Sequence, residues 1–600
     1  MQKQIILKEE VLLRAQSALE AAFSDADSDD IPRVELTQAT KSHFGHYQCN
    51  SAMSLAKIFK KNPREIALAW SDAMILYDQN HAQTTKACKM FEKIEVAGPG
   101  FINITLSSPF LSAKLKEAAW QQMCFDVHAS TAVVDYSSPN IAKQMHVGHL
   151  RSTIIGESLR RLLTYCGWSV KGVNHVGDWG TQFGMLITYI CEEGLDTEDW
   201  LLGSGKDSID SALALENLMQ LYRSARVSFT EDNAFALRAK KAVVDLQSGN
   251  TVLRALWERI CEISRVDFSK IYKMLQVEIE EKGESFYQSM LAPTVKDLEE
   301  RGIAKISDGA LCVFLPEFKI PYMLRKSDGG YNYDTTDIAA LRYRVDHEGA
   351  KRLIYVTDAG QKLHFDLLFA TAKAAGYVTE QHRLEHVGFG LVLGKDGKKF
   401  KTREGETEKL IDLISEAVLR SKKMIVERQS SVSQNELENS ELAERARRIG
   451  VSAVKYADLS NDRMSDYQFS YDKMLAFEGN TAIFLFYSLV RAKSILRKLK
   501  NCSYSEIETF APSCEQPSEI QLVLALLQWP EAIALTRDTL APHRLAEYLY
   551  QLACNFNHFF RDCKVHGDAK ESARARLVLE TVKVLEAGMH ILGLEPVESM

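Results

Sequence analysis

The sequence predicts a mostly parallel α/β sheet unit set between an N-terminal α+β domain and a C-terminal all-α helical bundle. Three observations carry that expectation. At 600 residues the chain is too long for one core, and a prior of about 150 residues per domain gives roughly four units. Residues 132–176 follow a strand–loop–helix–strand pattern, and further strands and helices continue it as far as residue 393. From Thr407 onward the apolar spacing is helical.

In chain order, Leu7–Phe23 has helical periodicity, Met53–Phe59 and Pro63–Leu76 extend it, and Lys93–Leu106 (KIEVAGPGFINITL) predicts two strands around Gly98-Pro99-Gly100. Ala132–Tyr136 (AVVDY) is a short apolar run with β-branched residues. A loop with Pro139 follows it, then a helix over Val147–Tyr165 and a second strand over Ser169–Val176, which together make a βαβ unit. Residues 192–300 are charged and helical, an insertion or long crossover between halves of a sheet. Strand-like runs return at Ala310–Leu315, Arg352–Val356 and Glu385–Leu393, with helices at Thr336–Asp346 and Lys362–Ala375 between them. Alternation of this kind places helices on both faces of a parallel sheet and ligands at the carboxyl ends of its strands. The helical last third is broken only by the polar stretches Gln429–Glu441, Asn501–Glu519 and Asp568–Lys570.

Composition narrows the class. With 46% hydrophobic and 26% charged residues, 13 Pro and 32 Gly, the chain is an ordinary globular protein and neither fibrous nor disordered. Its longest apolar stretch, Ala482–Val490, falls far short of the roughly 20 residues that span a bilayer. Lys8, Glu9 and Glu10 interrupt the segment where a secretory signal needs an unbroken apolar core, so an intracellular protein is expected. Eleven cysteines, an odd number without a CxxC or a Cys/His cluster at zinc spacing, predict reduced thiols and no structural zinc. A net charge of −7 gives no overall basic field, although a local basic surface can still bind phosphates.

The most informative segment is Ser137–Thr153 (SSPNIAKQMHVGHLRST). His146 and His149 flank Gly148 where the loop turns into a helix, so both imidazoles can reach a ligand held at the helix N-terminus. That end carries free N–H groups and a partial positive charge suited to nucleotide phosphates. Gly148 lets a base or ribose approach the backbone. Two rival readings stay open at this point: another HxGH ligase or nucleotidyltransferase with a different acceptor, and a catalytically silent RNA-binding homologue. Walker A and GxGxxG fingerprints are absent.

HVGH in this setting, with SSPNIAKQMHVGHLRSTIIGESLRRLL joined to NHVGDWGTQFGMLI at Asn174–Ile187, resembles the arginyl-tRNA synthetases of class I. Matching segments run the length of the chain: FGHYQCNSAMSLAK (Phe44–Lys57), VAGPGFINITL, YNYDTTDIAA, IYVTDAGQKLHF, VKYADLS (Val454–Ser460), MLAFEGNTA (Met474–Ala482) and RLVLETVKVLEAGMHILGL. The resemblance implies a Rossmann-type catalytic domain over 116–406, an N-terminal tRNA-elbow domain over 1–115, a helical connector over 407–475 and an anticodon-binding bundle over 476–600. It further implies activation of L-arginine by ATP with Mg²⁺, transfer to tRNA(Arg), a cytoplasmic monomer, no DNA or membrane partner, and a need for tRNA before activation.

Site residues follow from the same resemblance. His146, Gly148 and His149 would bind ATP. The second signature of the class matches Gly394–Gly405 (GKDGKKFKTREG), where Lys401 remains from a degenerate pair, and Lys143 is expected to make up the missing charge. Ser138, Asn140 and Gln361 would hold the α-amino and carboxylate groups of arginine. Asp135, Tyr333 and Asp337 would face the guanidinium, whose five donors require carboxylates and oriented acceptors. Tyr333 and Asp337 share a face only if a helix starts near Asp334. Residues 541–600 carry seven Lys/Arg and eight Asp/Glu, so charge does not advertise RNA there. Of the aromatics in Tyr548–Phe560, one or two are expected to be exposed for stacking on unpaired bases.

Overall fold

The computed structural model describes residues 6–23, 31–39, 44–85, 87–118, 120, 130–193, 211–394, 397–398, 408–432, 439–499 and 502–600. Its N-terminal unit is a four-stranded antiparallel sheet in the order β1-β2-β4-β3, formed by β1 (Leu36–Gln38), β2 (Tyr47–Cys49), β3 (Phe91–Ala97) and β4 (Phe101–Leu106). Helices α1 (Leu7–Ala22), α2 (Ala52–Phe59) and α3 (Pro63–Thr85) close one core with it around Leu19, Trp70 and Ile104. Helix α4 (Ser108–Glu117), capped by the Ser107 hydroxyl, leads out of this unit.

The central sheet has five strands, all parallel, in the order β12-β11-β5-β6-β7. They are β5 (Thr131–Asp135), β6 (Ser169–Asn174), β7 (Glu280–Glu281), β11 (Ala350–Asp358) and β12 (Arg383–Phe389). Both faces are buried: Val134, Ile354 and Val387 pack into one core, and Val133, Leu353 and Tyr355 into another. This double burial explains runs such as AVVDY that show no polar alternation. Helix α5 (Val147–Tyr165) crosses from β5 to β6, and α12 (Lys362–Ala374) from β11 to β12. The chain therefore leaves β5 toward one side of the sheet while β11 pairs on its other side, and the carboxyl ends of β5 and β11 frame the switch point.

Two expectations are corrected here. Ala310–Leu315 does not join the parallel sheet. β8 (Ala304–Ser307), β9 (Ala310–Val313) and β10 (Tyr322–Arg325) form a separate antiparallel sheet. The reason is local: Asp308 and Gly309 both have positive φ, 49° and 81°, the two-residue turn that returns a strand beside its predecessor, whereas a parallel neighbour needs a long crossover. Among its described residues the 192–300 segment is mostly helical, with α6 (Thr181–Glu192) ending at its start and α7 (Ser211–Glu231), α8 (Asn233–Gln247), α9 (Thr251–Leu275) and α10 (Gln288–Glu300) within it, but it also supplies the sheet's edge strand β7.

The last third is helical as expected, over Leu410–Val432, Asn439–Leu459, Ala482–Lys498, Pro517–Leu527, Trp529–Thr539, Pro542–Asp562 and Glu571–Ile591. One short strand, Tyr467–Gln468, departs from the pattern and pairs in parallel with Val392–Leu393 beside the central sheet. Helix α5 is the common anchor. Its buried Arg151 pairs with Asp458 at 3.1 Å, and Tyr165 accepts from the Trp529 indole at 3.0 Å. Along Tyr548–Phe560, Phe556 and Phe559 are buried and Phe560 is exposed, within the expected range.

Candidate active site

A cavity of about 970 Å³ opens where the carboxyl ends of β5, β11 and β12 meet the start of α5. Its wall includes Asp135, Ser138, Asn140, His146, Gly148, His149, Tyr333, Asp337 and Gln361. Nine of the eleven residues singled out in the sequence thus come together, from three separate stretches of chain. Lys143 stands outside the wall, with its ammonium 5.9 Å from the Tyr222 ring of α7. Lys401 lies outside the described residues.

The loop between β5 and α5 is strained and held. Ser137, Ser138 and Ala142 have φ of 71°, 47° and 59°, a left-handed backbone that costs non-glycine residues on the order of 1 kcal/mol each. Four hydrogen bonds from other elements over-determine it. The Ser137 N–H donates to Ser152 Oγ at 2.8 Å, Ser138 N–H to Asn174 Oδ1 at 2.9 Å, Ala142 N–H to Ser264 Oγ at 3.0 Å and Gly177 N–H to the Pro139 carbonyl at 3.1 Å. Gly177 is required there, since a Cβ would sit 2.1 Å from Asn140 Oδ1. The second motif, HVGDWG, therefore pins the first.

At the start of α5 the two histidines cap the helix. Gly148 N–H donates to His146 Nδ1 and His146 N–H donates to His149 Nδ1, each at 3.1 Å. The ring centroids lie 4.1 Å apart. Because each Nδ1 accepts, each neutral ring carries its proton on Nε2 and offers it as a donor. Burial, the neighbouring ring and the Lys143 charge hold His149 down to about 3, and burial with Lys143 lowers His146 as well. Gly148 has a second reason to lack a side chain, because a Cβ would meet the His146 ring at 2.9 Å.

The opposite end is acidic. Helix α11 (Tyr333–Asp346) begins at Tyr333 with Asn332 as its cap, so Tyr333 and Asp337 do share a face. Asp337 Oδ2 lies 2.7 Å from His364 Nε2. Asp135 reaches the cavity but is already engaged: Oδ2 accepts from buried Arg344 at 2.7 Å and Oδ1 from the Ser138 hydroxyl at 3.1 Å. The expectation that Asp135 directly faces a guanidinium is thus modified by a cation that the same helix α11 supplies. Tyr333, 65% exposed, stands at the rim with Gln361.

Sequence reasoning missed Glu284, His175, Arg344 and His364. Glu284 is brought to the cavity wall by a 3-10 turn that Asp178 of HVGDWG holds, accepting from Ser285 N–H at 2.8 Å. Burial, Asp178 and Asp337 together push Glu284 up to about 7. His364 follows Gln361 by one helical turn, a spacing that could have flagged it. Glu284 had no comparable signal, because its position depends on the return of the insertion through β7.

Three family models match consecutive parts of the chain: "Arginyl tRNA synthetase N terminal domain" over residues 13–106, "tRNA synthetases class I (R), catalytic domain" over 113–471, and "DALR anticodon binding domain" over 485–600. An arginine–tRNA ligase of Protochlamydia amoebophila is 47% identical over 596 residues, covering 98% of each chain. One of Chlamydia caviae is 47% identical over 583 residues, covering 97% of this chain and 98% of its own. The crystal structure of arginyl-tRNA synthetase from Plasmodium falciparum superposes with a TM-score of 0.83 at 32% identity and covers 100% of both chains. Sharing nearly half its residues with such relatives from end to end, the chain belongs to the class I arginyl-tRNA synthetases, the arginine–tRNA ligases.

Proposed function

We propose that the cavity divides arginine activation between its two ends, with ATP at the HVGH cap and the arginine side chain at the acidic wall. The arginine carboxylate attacks the α-phosphate, pyrophosphate leaves, and the adenylate is captured by the 2′-hydroxyl of the terminal adenosine of tRNA(Arg), releasing AMP. No side chain becomes covalently attached. The enzyme positions the reactants and stabilises charge that develops on phosphate.

The observation that carries this reading is the double cap. It leaves the Nε2–H of each ring as its donor on a cavity wall that also holds Val147 and Gly148, the start of a 19-residue helix whose dipole favours negative charge. His146 and His149 would donate to the phosphates, Gly148 would admit the nucleotide, and Lys401 with Lys143 would bring cations to the leaving pyrophosphate. Lys143 already depresses both imidazoles, so its charge reaches this end. Mg²⁺ carried on the phosphates would offset charge there, with Asp358 one of four carboxylates on the cavity wall. Ser138, Asn140 and Gln361 would hold the α-amino and carboxylate groups. Tyr333 and Asp337 would take the guanidinium, with Asp135 acting through its pair with Arg344. Lysine lacks the planar fork and would leave acceptors unpaired.

The same reading assigns residues 1–115 to the tRNA elbow, 116–406 to catalysis, 407–475 to a connector and 476–600 to the anticodon, in a cytoplasmic monomer. Among the described residues no helix is long and apolar enough to cross a membrane. Arginine-dependent exchange of labelled pyrophosphate into ATP, with and without tRNA(Arg), tests the proposal. Exchange is expected with arginine and not with lysine. Its absence under both conditions would leave a non-catalytic RNA-binding homologue.

A further inference from the structure

Asp334 on the first turn of α11 and Asp337 one turn further on bring their carboxylates to one neighbour, His364, from the first turn of α12. Nε2 of His364 lies 2.7 Å from Asp337 Oδ2, and Nδ1 lies 3.1 Å from Asp334 Oδ1. Nε2 is hydrogen-bonded to Asp337 and Nδ1 is in ion-pair contact with Asp334; an ionised carboxylate only accepts, so a ring set between two of them is favoured as an imidazolium, which has a proton for each. A neutral ring could satisfy one carboxylate and would set a lone pair against the other.

The surroundings agree. Tyr322 of β10, Tyr333 of α11, Tyr355 of β11, His386 of β12, Glu284 and His175 face this cluster, and none of them is a fixed cation. Burial opposes the charge on His364, yet the bonds to Asp334 and Asp337 outweigh it and raise the group to about 9. The second oxygen of Asp337, Oδ1, has His175 Nε2 only at 4.0 Å, too far for a hydrogen bond. Asp334 has another partner in the Asn332 amide, which donates to Oδ2 at 3.2 Å.

We propose that His364 is the positioning residue of the arginine pocket: it fixes Asp337 by one oxygen, leaves the other for the guanidinium, and releases its proton to solvent in part as arginine binds. The proposal rests on the reading that Asp337 receives the guanidinium. A second cation beside Asp337 competes with the imidazolium for the same negative charge. The ring can lose the Nδ1 proton and keep its Nε2–H on Asp337, while Asp334 keeps Asn332. By linkage, arginine then binds more tightly as pH rises toward the value at which His364 loses its proton in the empty pocket.

The test is calorimetric titration of the full chain with L-arginine at about pH 8 in two buffers of different ionisation heat, where roughly half a proton released per arginine is expected. Glu284 is largely ionised at that pH and contributes little. His364→Gln should abolish the release and raise the arginine KM about tenfold, the loss of one well-oriented charged hydrogen bond, with kcat at saturating arginine within about threefold. Asp334→Asn, which removes one of the two carboxylates, should move the release to lower pH and keeps the test available if the glutamine variant does not fold. Wild-type binding without proton release, or an unchanged KM in His364→Gln, would overturn the proposal. Asp337→Asn separates the two layers: an unchanged KM there would remove the guanidinium reading itself, whereas a raised KM alongside an indifferent His364→Gln would remove only the role of His364.

Discussion

The two ends of the cavity use the same side chain in opposite charge states. At the HVGH end, His146 and His149 are held neutral, because their Nδ1 atoms accept backbone N–H bonds at a helix N-terminus and burial and Lys143 oppose a further charge. At the acidic end, His364 lies between two carboxylates and is held charged. Environment sets the role: a phosphate site needs donors already fixed in place, and a guanidinium site needs negative charge that is oriented and partly balanced until the substrate arrives.

The largest effect expected from breaking this contrast is at the nucleotide end. His149→Ala should lower the rate of pyrophosphate exchange by about 100-fold to 1,000-fold, as for removal of a preorganised donor. The arginine KM should stay within about threefold and the loss of the cap should cost about 1 kcal/mol of stability, which thermal denaturation would register. Full activity in this variant would remove the phosphate role of the double cap.

Asp337→Asn should act on the other end alone. With Asp337 in its proposed role, losing one charged hydrogen bond to the guanidinium predicts a rise in arginine KM of about 10-fold to 100-fold with little change in kcat. Steady-state kinetics in arginine and in ATP would show whether the two ends are as separable as the geometry implies. A smaller effect is expected from Lys143→Ala, about tenfold in turnover and none in arginine affinity, because its exposed charge acts at a distance. An unchanged rate would reject its part in charge compensation.

The smallest effects are on stability, and they have opposite signs at the two ends. His149 is neutral when folded and titrates near its ordinary value of 6.5 when unfolded. The unfolded state therefore binds more protons between those values, and the stability it contributes is lost as pH falls from 6.5 toward about 3. Glu284, raised to about 7 from 4.5, does the reverse: the unfolded chain ionises first, and stability falls as pH rises from 4.5 to about 7. Glu284→Gln should remove that loss from urea-denaturation profiles taken across this range.

The two ends also differ in how far the sequence reveals them. The HVGH end is contiguous: a short strand, a loop and helix α5 follow in order, and the predicted bounds Val147–Tyr165 are those observed. Its periodicity and its cap residues are local signals, so the fold had little room to alter them. The acidic end is assembled from distant pieces. Tyr333 and Asp337 are legible through the family resemblance, and the helix start that TTDIAALRY suggests puts them on one face; the same helix carries Arg344, which engages Asp135 from 209 residues away. Glu284 depends on a helical insertion that returns as an edge strand, and nothing within its own neighbourhood announces that. The misplaced Ala310–Val313 strand has the same origin in reverse, since its β-branched and apolar residues fit any sheet and only the Asp308-Gly309 turn decides which one it joins.

The most direct test of the contrast is the charge state of individual histidines, read by side-chain nitrogen NMR of the full chain at about pH 7, with single histidine substitutions for assignment. The structure predicts that His146 and His149 appear as neutral rings protonated at Nε2 while His364 appears as an imidazolium. A protonated His149, or a neutral His364, would contradict the division of the cavity into a donor end and a balanced acidic end.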